Sequence, residues 1–552
     1  MKSRITPIMF VGMIVFYGLI FLVPFSGGVH LFDWDEIIFA ESAREMLISG
    51  DAMTVTINYE PFREKPPLFI WLQALSMKAF GINEFAARFP NAVCGIVTLL
   101  TVYLFGRKVH HHQFGMLWAA SFGTAILPFF YFQTGIIDPW FNLFIFLCIG
   151  FFILYLEESR PGKRYLYICL SPLFLGLAVL TKGPVAVLLF GISFLVYLGY
   201  KRGRLNVTWG HVLAFITILL LSGGSWFLVA ILRGNYDVIR EFIIYQAGLF
   251  SEDFAGHSGF PGFHFVMLLF GVFPASVIML GGITKKKEEG LPQAFRTWMY
   301  VVLFLVLVLF SIVQTKLVHY SSLTYYPVTF LAAWVLYNWT KRKVEIRKWQ
   351  IALLILIIAI YAVILFIIPF VMLDPERFIV SYPNLMDPYV EGVFRTGTGW
   401  SIIDFLPAVI LMAGAVLAIP RIIKRDAKGL VMLHLVTLLF TYVSILLFVP
   451  KVEQMIQGPA IAFMKEHASA GERVVSLGYK SFAPYFYAER MPGEIASDKE
   501  VWMNEYDRDR PVYVVMKANN SSRVMQKYPG LILIGEEGGF VFALYMAQNR
   551  FN

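Results

Sequence analysis

The chain has 552 residues, of which 58% are hydrophobic and only 15% are charged, well below the roughly 25% charged residues of an average soluble domain. This composition excludes an ordinary soluble protein and predicts an integral membrane protein. The net charge of +9 does not indicate binding to nucleic acid, because the basic residues form short clusters between apolar segments and not one basic face.

Thirteen apolar stretches are candidates for membrane-spanning helices, which need about 20 mostly apolar residues. They cover residues 7–24, 84–106, 113–131, 139–156, 164–180, 184–199, 209–231, 262–282, 298–313, 323–340, 349–373, 402–419 and 428–449. The first follows Lys2 and Arg4 as a signal peptide would, but no small-residue cleavage site follows it, so we interpret it as a retained helix. The sequence therefore predicts a mainly α-helical bundle of about 13 spans.

Clusters of lysine and arginine occupy every second loop between these stretches. Such clusters are typical of cytoplasmic loops. The alternate loops, 25–83, 232–261 and 374–401, are long and poor in basic clusters. We therefore expect a cytoplasmic N-terminus, with these long loops and the C-terminus on the outer face of the membrane.

The character of the chain changes after Pro450. Four short runs typical of strands alternate there with amphipathic stretches, and they cover residues 473–478, 511–517, 531–535 and 540–546. We expect a transmembrane domain over residues 1–450 and a small soluble α/β domain over residues 451–552. The Walker loop and the GxGxxG pattern are absent from the sequence, so no nucleotide cofactor is expected.

The first long loop begins with the acidic residues Asp33, Asp35 and Glu36. We interpret this segment as the start of an amphipathic helix that lies on the membrane surface. Asp35 and Glu36 point about 100° apart on a helix, so they cannot form a facing acid/base pair. The structural alternative is that Asp33 caps the helix, Glu36 completes a capping box and Glu41 pairs with Arg44.

Three charged residues lie at the outer ends of apolar helices. Lys65, which precedes two prolines, could hold a lipid phosphate at headgroup depth or simply snorkel to the interface. Asp138 lies in a short turn, and a carboxylate costs about 2.5–3.5 kcal/mol at the centre of a spanning helix and less toward its ends. Such a cost favours a function. Lys182 lies in the equivalent turn of the next hairpin, where it could share one outward pocket with Asp138.

Two further sets of polar residues belong to outer segments. His257 and Glu64 offer the nitrogen and oxygen ligands that Zn²⁺ accepts, although the spacing does not show that they meet; the alternative is an exposed loop histidine. Lys316, His319 and Tyr320 mark another outer turn. Their structural interpretation is anchoring at the membrane interface.

Several of these motifs, in this order, carry a family resemblance. They are Asp35-Glu36, Ala40-Glu41, Ala43-Arg44-Glu45-Met46, Glu64-Lys65-Pro66-Pro67-Leu68, Asn83-Glu84-Phe85-Ala86-Ala87-Arg88, Asp138-Pro139 and Thr181-Lys182-Gly183. The chain resembles the aminoarabinose transferase branch of the membrane glycosyltransferases related to protein O-mannosyltransferases. The similarity is densest over residues 31–190.

This resemblance implies a C-type glycosyltransferase fold, a bacterial inner-membrane location with a periplasmic active site, and a sugar donor carried on undecaprenyl phosphate or a similar polyprenyl phosphate. It also assigns roles to seven residues: catalysis to Asp35, Asp138 and Lys182, binding of the donor phosphate to Lys65 and Tyr320, and ligation of a divalent metal such as zinc to Glu64 and His257.

We therefore expect an inverting glycosyltransferase that moves a sugar, such as 4-amino-4-deoxy-arabinose, to a lipid A phosphate or a similar outer-face acceptor. It would act as a monomer among membrane lipids, without nucleic acid. One alternative is transfer from the same donor to a protein or glycan. Another is a transporter of lipid-linked sugars, because charged residues in spans also mark transport paths. A purely structural protein is a third alternative.

Overall fold

The computed structural model describes residues 5–24, 26–248, 259–282, 288–492 and 511–545. Over these residues the protein is mainly α-helical. The helices of the first half are α1 (Pro7–Tyr17, extended by a π-helical turn Gly18–Leu22), α2 (Asp35–Ser49), α3 (Leu68–Phe80), α4 (Glu84–Val109), α5 (His112–Gly123), α6 (Ile126–Tyr131), α7 (Asp138–Glu157), α8 (Pro161–Lys182), α9 (Val185–Tyr200), α10 (Trp209–Gly223), α11 (Ser225–Leu232) and α12 (Tyr236–Gly248).

The helices of the second half continue in the same order. They are α13 (Phe263–Gly271), α14 (Ala275–Met279), α15 (Gly290–Ile312), α16 (Tyr325–Thr340), α17 (Lys348–Met372), α18 (Pro375–Ser381), α19 (Pro388–Arg395), α20 (Leu406–Ile423), α21 (Ala427–Ile456), α22 (Gly458–Ser469), α23 (Ala483–Tyr487) and α24 (Ala518–Lys527). Short 3-10 helical turns cover Leu280–Gly282, Val318–Thr324, Pro383–Leu385 and Ile402–Phe405.

Seven helices of the described chain are long and apolar enough to cross a membrane, and two bent pairs raise that number to nine if each pair is one span. The seven are α4, α7, α8, α15, α17, α21 and the stretch Ile402–Ile423 that contains α20. All thirteen predicted stretches are largely helical, but some, such as Val185–Tyr200, are apolar helices of only 10–17 residues. The protein is a multi-span helical bundle, and the number thirteen stays a prediction.

The stretch 262–282 was predicted as one span, and the structure breaks it into α13 and α14, which bend by 110°. Pro274 lies at the break. Proline has no backbone N–H to donate, and it disfavours helical backbone at the residue before it. The stretch is therefore a bent pair of helices, and the sequence pattern did not predict the bend.

The interior of the bundle is filled by large aromatic side chains. Trp118, Trp298 and Trp334, on α5, α15 and α16, are among the largest fully buried residues. Glycine lets α4 and α5 pack backbone against backbone, because a Cβ atom at Gly115 would lie 2.4 Å from the carbonyl oxygen of Tyr103. Only a residue without a side chain fits such an approach.

Helix α2 is a second departure from prediction. It was expected on the membrane surface, but residues from Glu36 to Met46 are buried in the protein. Its neighbours are α3, α23 and a two-stranded ribbon of β1 (Thr56–Ile57) and β2 (Glu60–Pro61). Pairing offsets the burial of two of its acids: Glu36 is bound by Arg88, and the predicted bond between Arg44 and Glu41 is present, with both N···O distances at 2.7 Å.

The C-terminal residues form a four-stranded sheet of order β3-β4-β6-β5, with β3 and β4 parallel and the other neighbours antiparallel. The strands are β3 (Arg473–Ser476), β4 (Val512–Lys517), β5 (Leu531–Glu537) and β6 (Phe540–Tyr545). They lie where the alternating pattern predicts them. The predicted boundary at residue 450 falls inside α21, which continues to Ile456.

Hydrogen bonds join this C-terminal unit, residues 458–492 and 511–545, to the first long loop. The backbone N–H of Leu31 donates to the hydroxyl of Tyr487 at 2.6 Å. The guanidinium of Arg44 donates to the carbonyl of Arg490 at 2.6 Å. The loop and the unit therefore form one continuous layer over the end of the helical bundle.

Candidate active site

A cavity of about 380 Å³ lies where this layer meets the bundle. Six of the seven residues singled out from the sequence line it: Asp35, Glu64, Lys65, Asp138, Lys182 and Tyr320. The seventh, His257, lies outside the described residues. A second, more open cleft of about 520 Å³ between α19, α22 and the β5–β6 turn contains none of them.

The centre of the cavity is an ion pair between Asp138 and Lys182. Asp138 is the first residue of α7 and Lys182 the last residue of α8. A carboxylate at a helix N-terminus and a cation at a C-terminus both complement the helix dipole. Because the two helices run antiparallel side by side, these termini meet, and Lys182 Nζ lies 2.6 Å from Asp138 Oδ1. The sequence suggested this convergence, and the geometry is as expected.

Aromatic rings surround the Lys182 ammonium. Its Nζ atom lies 5.5 Å from the ring centre of Phe141 and 5.4 Å from that of Tyr320. Both distances allow cation–π attraction. Tyr320 belongs to the turn Val318–Thr324, and burial raises the pKa of its phenol. The hydroxyl therefore stays protonated near neutral pH and can donate a hydrogen bond into the cavity.

Lys316, expected to anchor the chain at the interface, is instead buried under this turn. Its ammonium donates to the carbonyls of Phe310 at 2.9 Å, Ser311 at 2.8 Å and Val313 at 2.5 Å. These carbonyls at the end of α15 lack partners within the helix. Lys316 is therefore a helix cap that fixes the path of the chain toward Tyr320.

Glu64 and Lys65 enter the cavity from the segment before α3. The hydroxyl of Tyr245, on α12, donates to Glu64 Oε2 at 3.0 Å, and Lys65 Nζ lies 5.5 Å from the Tyr245 ring centre. Burial is the main cause that lowers the pKa of Lys65; the Glu64 carboxylate opposes this effect and the Lys182 ammonium adds to it. A bound anion would restore the charged form, since an opposite charge favours it.

Asp35 is the first residue of α2 and is half-buried at the cavity wall. Within the described residues, its carboxylate has no hydrogen-bond or ion-pair partner in the protein. The residue before it, Trp34, has φ 78°, a conformation that costs a non-glycine residue about 1–3 kcal/mol. This strained turn aims the Asp35 side chain into the cavity.

Glu36, the adjacent acid, points the other way and is buried. Its two oxygens accept bonds from Arg88 at 3.0 and 2.7 Å, and the backbone N–H of Phe32 donates to it at 2.9 Å. The proposed capping box is therefore wrong: Trp34, not Asp33, is the N-cap residue, and no side chain caps this helix. Asp33 instead accepts the backbone N–H of Phe482 at 2.9 Å.

Several polar and aromatic residues of the cavity were given no catalytic or binding role from the sequence, among them His319, Tyr245, Lys480 and Phe482. His319 lies in the turn that the sequence marked, and burial lowers the pKa of its imidazole, with the Asp138 charge opposing this and Lys182 adding to it. Tyr245 precedes the loop that contains His257. Lys480 and Phe482 come from the C-terminal unit, more than 400 residues from Asp35, and no local pattern marks them.

Of the metal site expected at Glu64 and His257, only Glu64 lies within the described residues. No three histidine, cysteine, aspartate or glutamate side chains among them come close enough to hold an ion. Glu64 already accepts the Tyr245 hydroxyl and lies 4.0 Å from Lys65 Nζ. The described residues thus do not form a metal site by themselves, and a divalent metal at Glu64 and His257 stays a prediction.

The sequence is similar to two groups of sugar transferases. Residues 64–226 match the family described as dolichyl-phosphate-mannose-protein mannosyltransferase. Over 325 residues the chain is 28% identical to the undecaprenyl phosphate-alpha-4-amino-4-deoxy-L-arabinose arabinosyl transferase of Pectobacterium atrosepticum, and this alignment covers 58% of each chain. The same named enzyme of Photorhabdus laumondii is 26% identical over 329 residues, again 58% of each chain. The chain thus spans little more than half the length of these relatives.

The fold extends the similarity to the whole chain. The crystal structure of ArnT from Cupriavidus metallidurans bound to undecaprenyl phosphate superimposes with a TM-score of 0.77 and 17% identity, covering 98% of this chain and 99% of that one. Its apo state gives the same TM-score with 18% identity. Identity this low establishes the fold alone. Sequence and fold together confirm the predicted resemblance: the chain is similar to the aminoarabinose transferases over part of its sequence and shares the fold of ArnT.

Proposed function

We propose that the protein is an inverting glycosyltransferase that moves a sugar from a polyprenyl phosphate to an acceptor at the outer face of a bacterial inner membrane. The sugar of this proposal is 4-amino-4-deoxy-arabinose, because the relatives' names specify it, and the leading acceptor is a lipid A phosphate. The orientation rests on the alternation of basic and non-basic loops. Transfer to a protein or glycan is the alternative for the acceptor.

One observation carries the proposal: the cavity is lined by both charged and apolar side chains. The charged ones include Lys65 and the pair Asp138–Lys182, and the apolar ones include Leu189, Phe310, Val313, Leu317 and Leu323. A polyprenyl phosphate needs both, since its phosphate requires cations and its tail requires apolar surface.

The reaction is a single displacement. An acceptor oxygen forms a bond to the anomeric carbon of the sugar while the bond from that carbon to the phosphate oxygen breaks. The electron pair leaves with the polyprenyl phosphate, whose negative charge grows. Lys65 lies where it can stabilise this charge, and the Tyr320 hydroxyl can donate to the same phosphate. The single step inverts the configuration at the sugar carbon.

Asp35 has the geometry of a proton acceptor. Its carboxylate is open to the cavity, whereas the Asp138 carboxylate is bound by Lys182. With a hydroxyl acceptor, Asp35 removes the proton as the new bond forms. With a phosphate monoanion, the remaining P–OH group donates to Asp35 and loses its proton in the same way. The Asp138–Lys182 pair orients the sugar beside these groups.

The test is an assay of the purified protein with a polyprenyl-phosphate-linked aminoarabinose and lipid A. We expect release of free polyprenyl phosphate together with a lipid A product whose mass rises by one sugar residue. A transporter moves the donor across a bilayer without releasing polyprenyl phosphate, so movement without release contradicts the proposal. Mass spectrometry of lipid A and glycans from cells that lack the protein identifies the acceptor in the cell.

A further inference from the structure

The C-terminal unit contributes a cation to the cavity. Lys480 and Phe482 lie in the segment between β3 and α23 and line the same cavity as Asp35. Lys480 is exposed at the mouth, whereas Lys65 and Lys182 lie deeper, with 15% and 16% of their side chains exposed. The cavity therefore has an inner pair of cations and an outer one.

Two aromatic rings hold the outer lysine in place. Lys480 Nζ lies 4.9 Å from the ring centre of Trp34 and 5.4 Å from that of Phe482. The two rings meet edge to face, with centres 5.9 Å apart. A lysine over such rings is attracted to them and loses part of its freedom before any ligand binds. The ammonium thus lies over the ring of Trp34, the residue that precedes Asp35, and Lys480 lines the same cavity as Asp35.

The segment that carries Lys480 is anchored at both ends. On one side, Asp33 Oδ1 accepts the backbone N–H of Phe482 at 2.9 Å. On the other, the Asn520 side chain donates to the carbonyl of Gly478 at 3.0 Å, and Gly478 has φ 77°. Glycine adopts this backbone conformation without strain. Asp33, Trp34 and Asp35 are therefore fixed by the same segment that presents Lys480.

The outer lysine differs from the inner ones in its charge balance. Lys182 is paired with Asp138 at 2.6 Å, and Lys65 lies 4.0 Å from Glu64. In the described chain, Lys480 has no carboxylate within ion-pair distance. If Lys65 binds the donor phosphate, the Lys480 ammonium is available to attract a second anion. The attacking oxygen of the acceptor must lie near Asp35, so this second anion belongs to the acceptor.

We propose that Lys480, held over Trp34 and Phe482, binds the phosphate of an anionic lipid acceptor and places it next to Asp35. This inference rests on the proposed function. It assigns the C-terminal unit a part in acceptor recognition. It also favours a phosphate-bearing lipid over a neutral protein hydroxyl, which has no charge for Lys480 to bind.

The test compares Lys480→Ala, Lys480→Glu and Lys480→Arg in purified full-length protein, with lipid A and its dephosphorylated form as acceptors. We expect the KM for lipid A to rise about tenfold in Lys480→Ala and further in Lys480→Glu, since a charge-assisted bond is lost. Lys480→Arg should stay close to wild type. The matched control is Lys465→Ala, another exposed lysine of the unit, which lies 5.8 Å from the Tyr487 ring centre and does not line the cavity.

Binding of polyprenyl phosphate, followed by thermal shift, provides the second measurement. We expect it to be unchanged in Lys480→Ala, and an unchanged shift also shows that the variant is folded. The inference is overturned if Lys480→Ala keeps the wild-type KM for lipid A, if it loses donor binding, or if wild-type protein prefers the dephosphorylated lipid or a peptide hydroxyl. By contrast, a wild-type protein that releases no polyprenyl phosphate with any acceptor contradicts the proposed function itself.

Discussion

Two buried ion pairs lie near the start of α2, and they differ in how many hydrogen bonds the protein gives them. Arg88 donates to both oxygens of Glu36 and also to the carbonyls of Val29 at 2.7 Å and His30 at 2.8 Å. A small cavity of about 190 Å³ borders this pair, and no other charged residue of the described chain lines it. The pair Asp138–Lys182 has one contact of 2.6 Å and faces a cavity.

The difference separates a structural pair from one available for chemistry. Burial tends to raise the pKa of Glu36, but the charge and hydrogen bonds of Arg88 outweigh it, so the pKa falls below its ordinary value. Protein groups thus satisfy the hydrogen bonding of this pair, and the small cavity beside it is lined by no further charged residue that the structure describes. Asp138 and Lys182 receive fewer bonds from the protein and share their cavity with Asp35, Glu64 and Lys65, which leaves polar atoms for a ligand. The number of protein hydrogen bonds and the charges that share the cavity, and not burial, therefore distinguish the two pairs.

The largest effect is expected from Asp35→Asn, which tests the cavity that contains Asp138 and Lys182. Loss of the proton acceptor should lower the transfer rate by about 10²–10⁴-fold, with unchanged thermal unfolding because the side chain has no partner among the described residues. The measurement is release of polyprenyl phosphate. Glu60→Gln, an exposed carboxylate of the same loop, is the control and should keep full activity. Wild-type turnover of the Asp35→Asn variant would show that Asp35 takes no part in transfer.

Lys65→Ala should have the next largest effect, a loss of about 10²-fold in transfer, since a cation next to the leaving phosphate is removed. Binding of polyprenyl phosphate should weaken in parallel. Lys78→Ala, an exposed lysine on α3, serves as the matched control. Equal losses in both variants would show that the effect comes from net charge and not from the cavity.

Arg88→Met tests the ion pair of Glu36 and Arg88, because it leaves Glu36 buried without its partner. We expect the free energy of unfolding to fall by about 3–5 kcal/mol, measured by thermal unfolding in detergent. Replacing both residues, Glu36→Gln with Arg88→Met, should recover part of this loss. Lys182→Met should instead lower transfer, with a smaller loss of stability than Arg88→Met. If Lys182→Met and Arg88→Met destabilise the protein equally, the distinction between the two pairs fails.

The smallest effect concerns Glu45, a buried acid on the same helix. It accepts the Thr56 hydroxyl at 2.6 Å and the backbone N–H of Tyr59 at 3.0 Å, but no cation pairs with it in the described residues. Burial, with the nearby Glu41 charge, raises its pKa from 4.5 to about 7. The folded protein then holds a proton that the unfolded chain has lost, so stability falls as pH rises from about 4.5 to about 7 and is level above.

Glu45→Gln should remove this slope, because the amide stays neutral at every pH. The measurement is thermal unfolding between about pH 5 and pH 8, with Glu60→Gln as the control that retains the slope. An unchanged slope in Glu45→Gln would mean that another group causes it.

Much of the fold follows from the sequence alone. Long apolar stretches form helices because a membrane interior requires every backbone group to be paired within its own segment. The convergence of Asp138 and Lys182 is also predictable, because the start of one helix and the end of the next lie at the same end of an antiparallel hairpin. The four C-terminal strands follow from their alternating pattern.

Only the tertiary structure decided which charges line the candidate active site. The sequence does not show which of the adjacent acids Asp35 and Glu36 faces the cavity. Glu36 is buried because it pairs with Arg88, which lies 52 residues away in the chain. Because such distant pairing cannot be read from the local pattern, the sequence predicted a surface helix for α2. Lys480 reaches the cavity only because the C-terminal unit packs on the first loop. Local patterns specify helices and strands, whereas enclosure and charge balance depend on contacts between residues far apart in the chain.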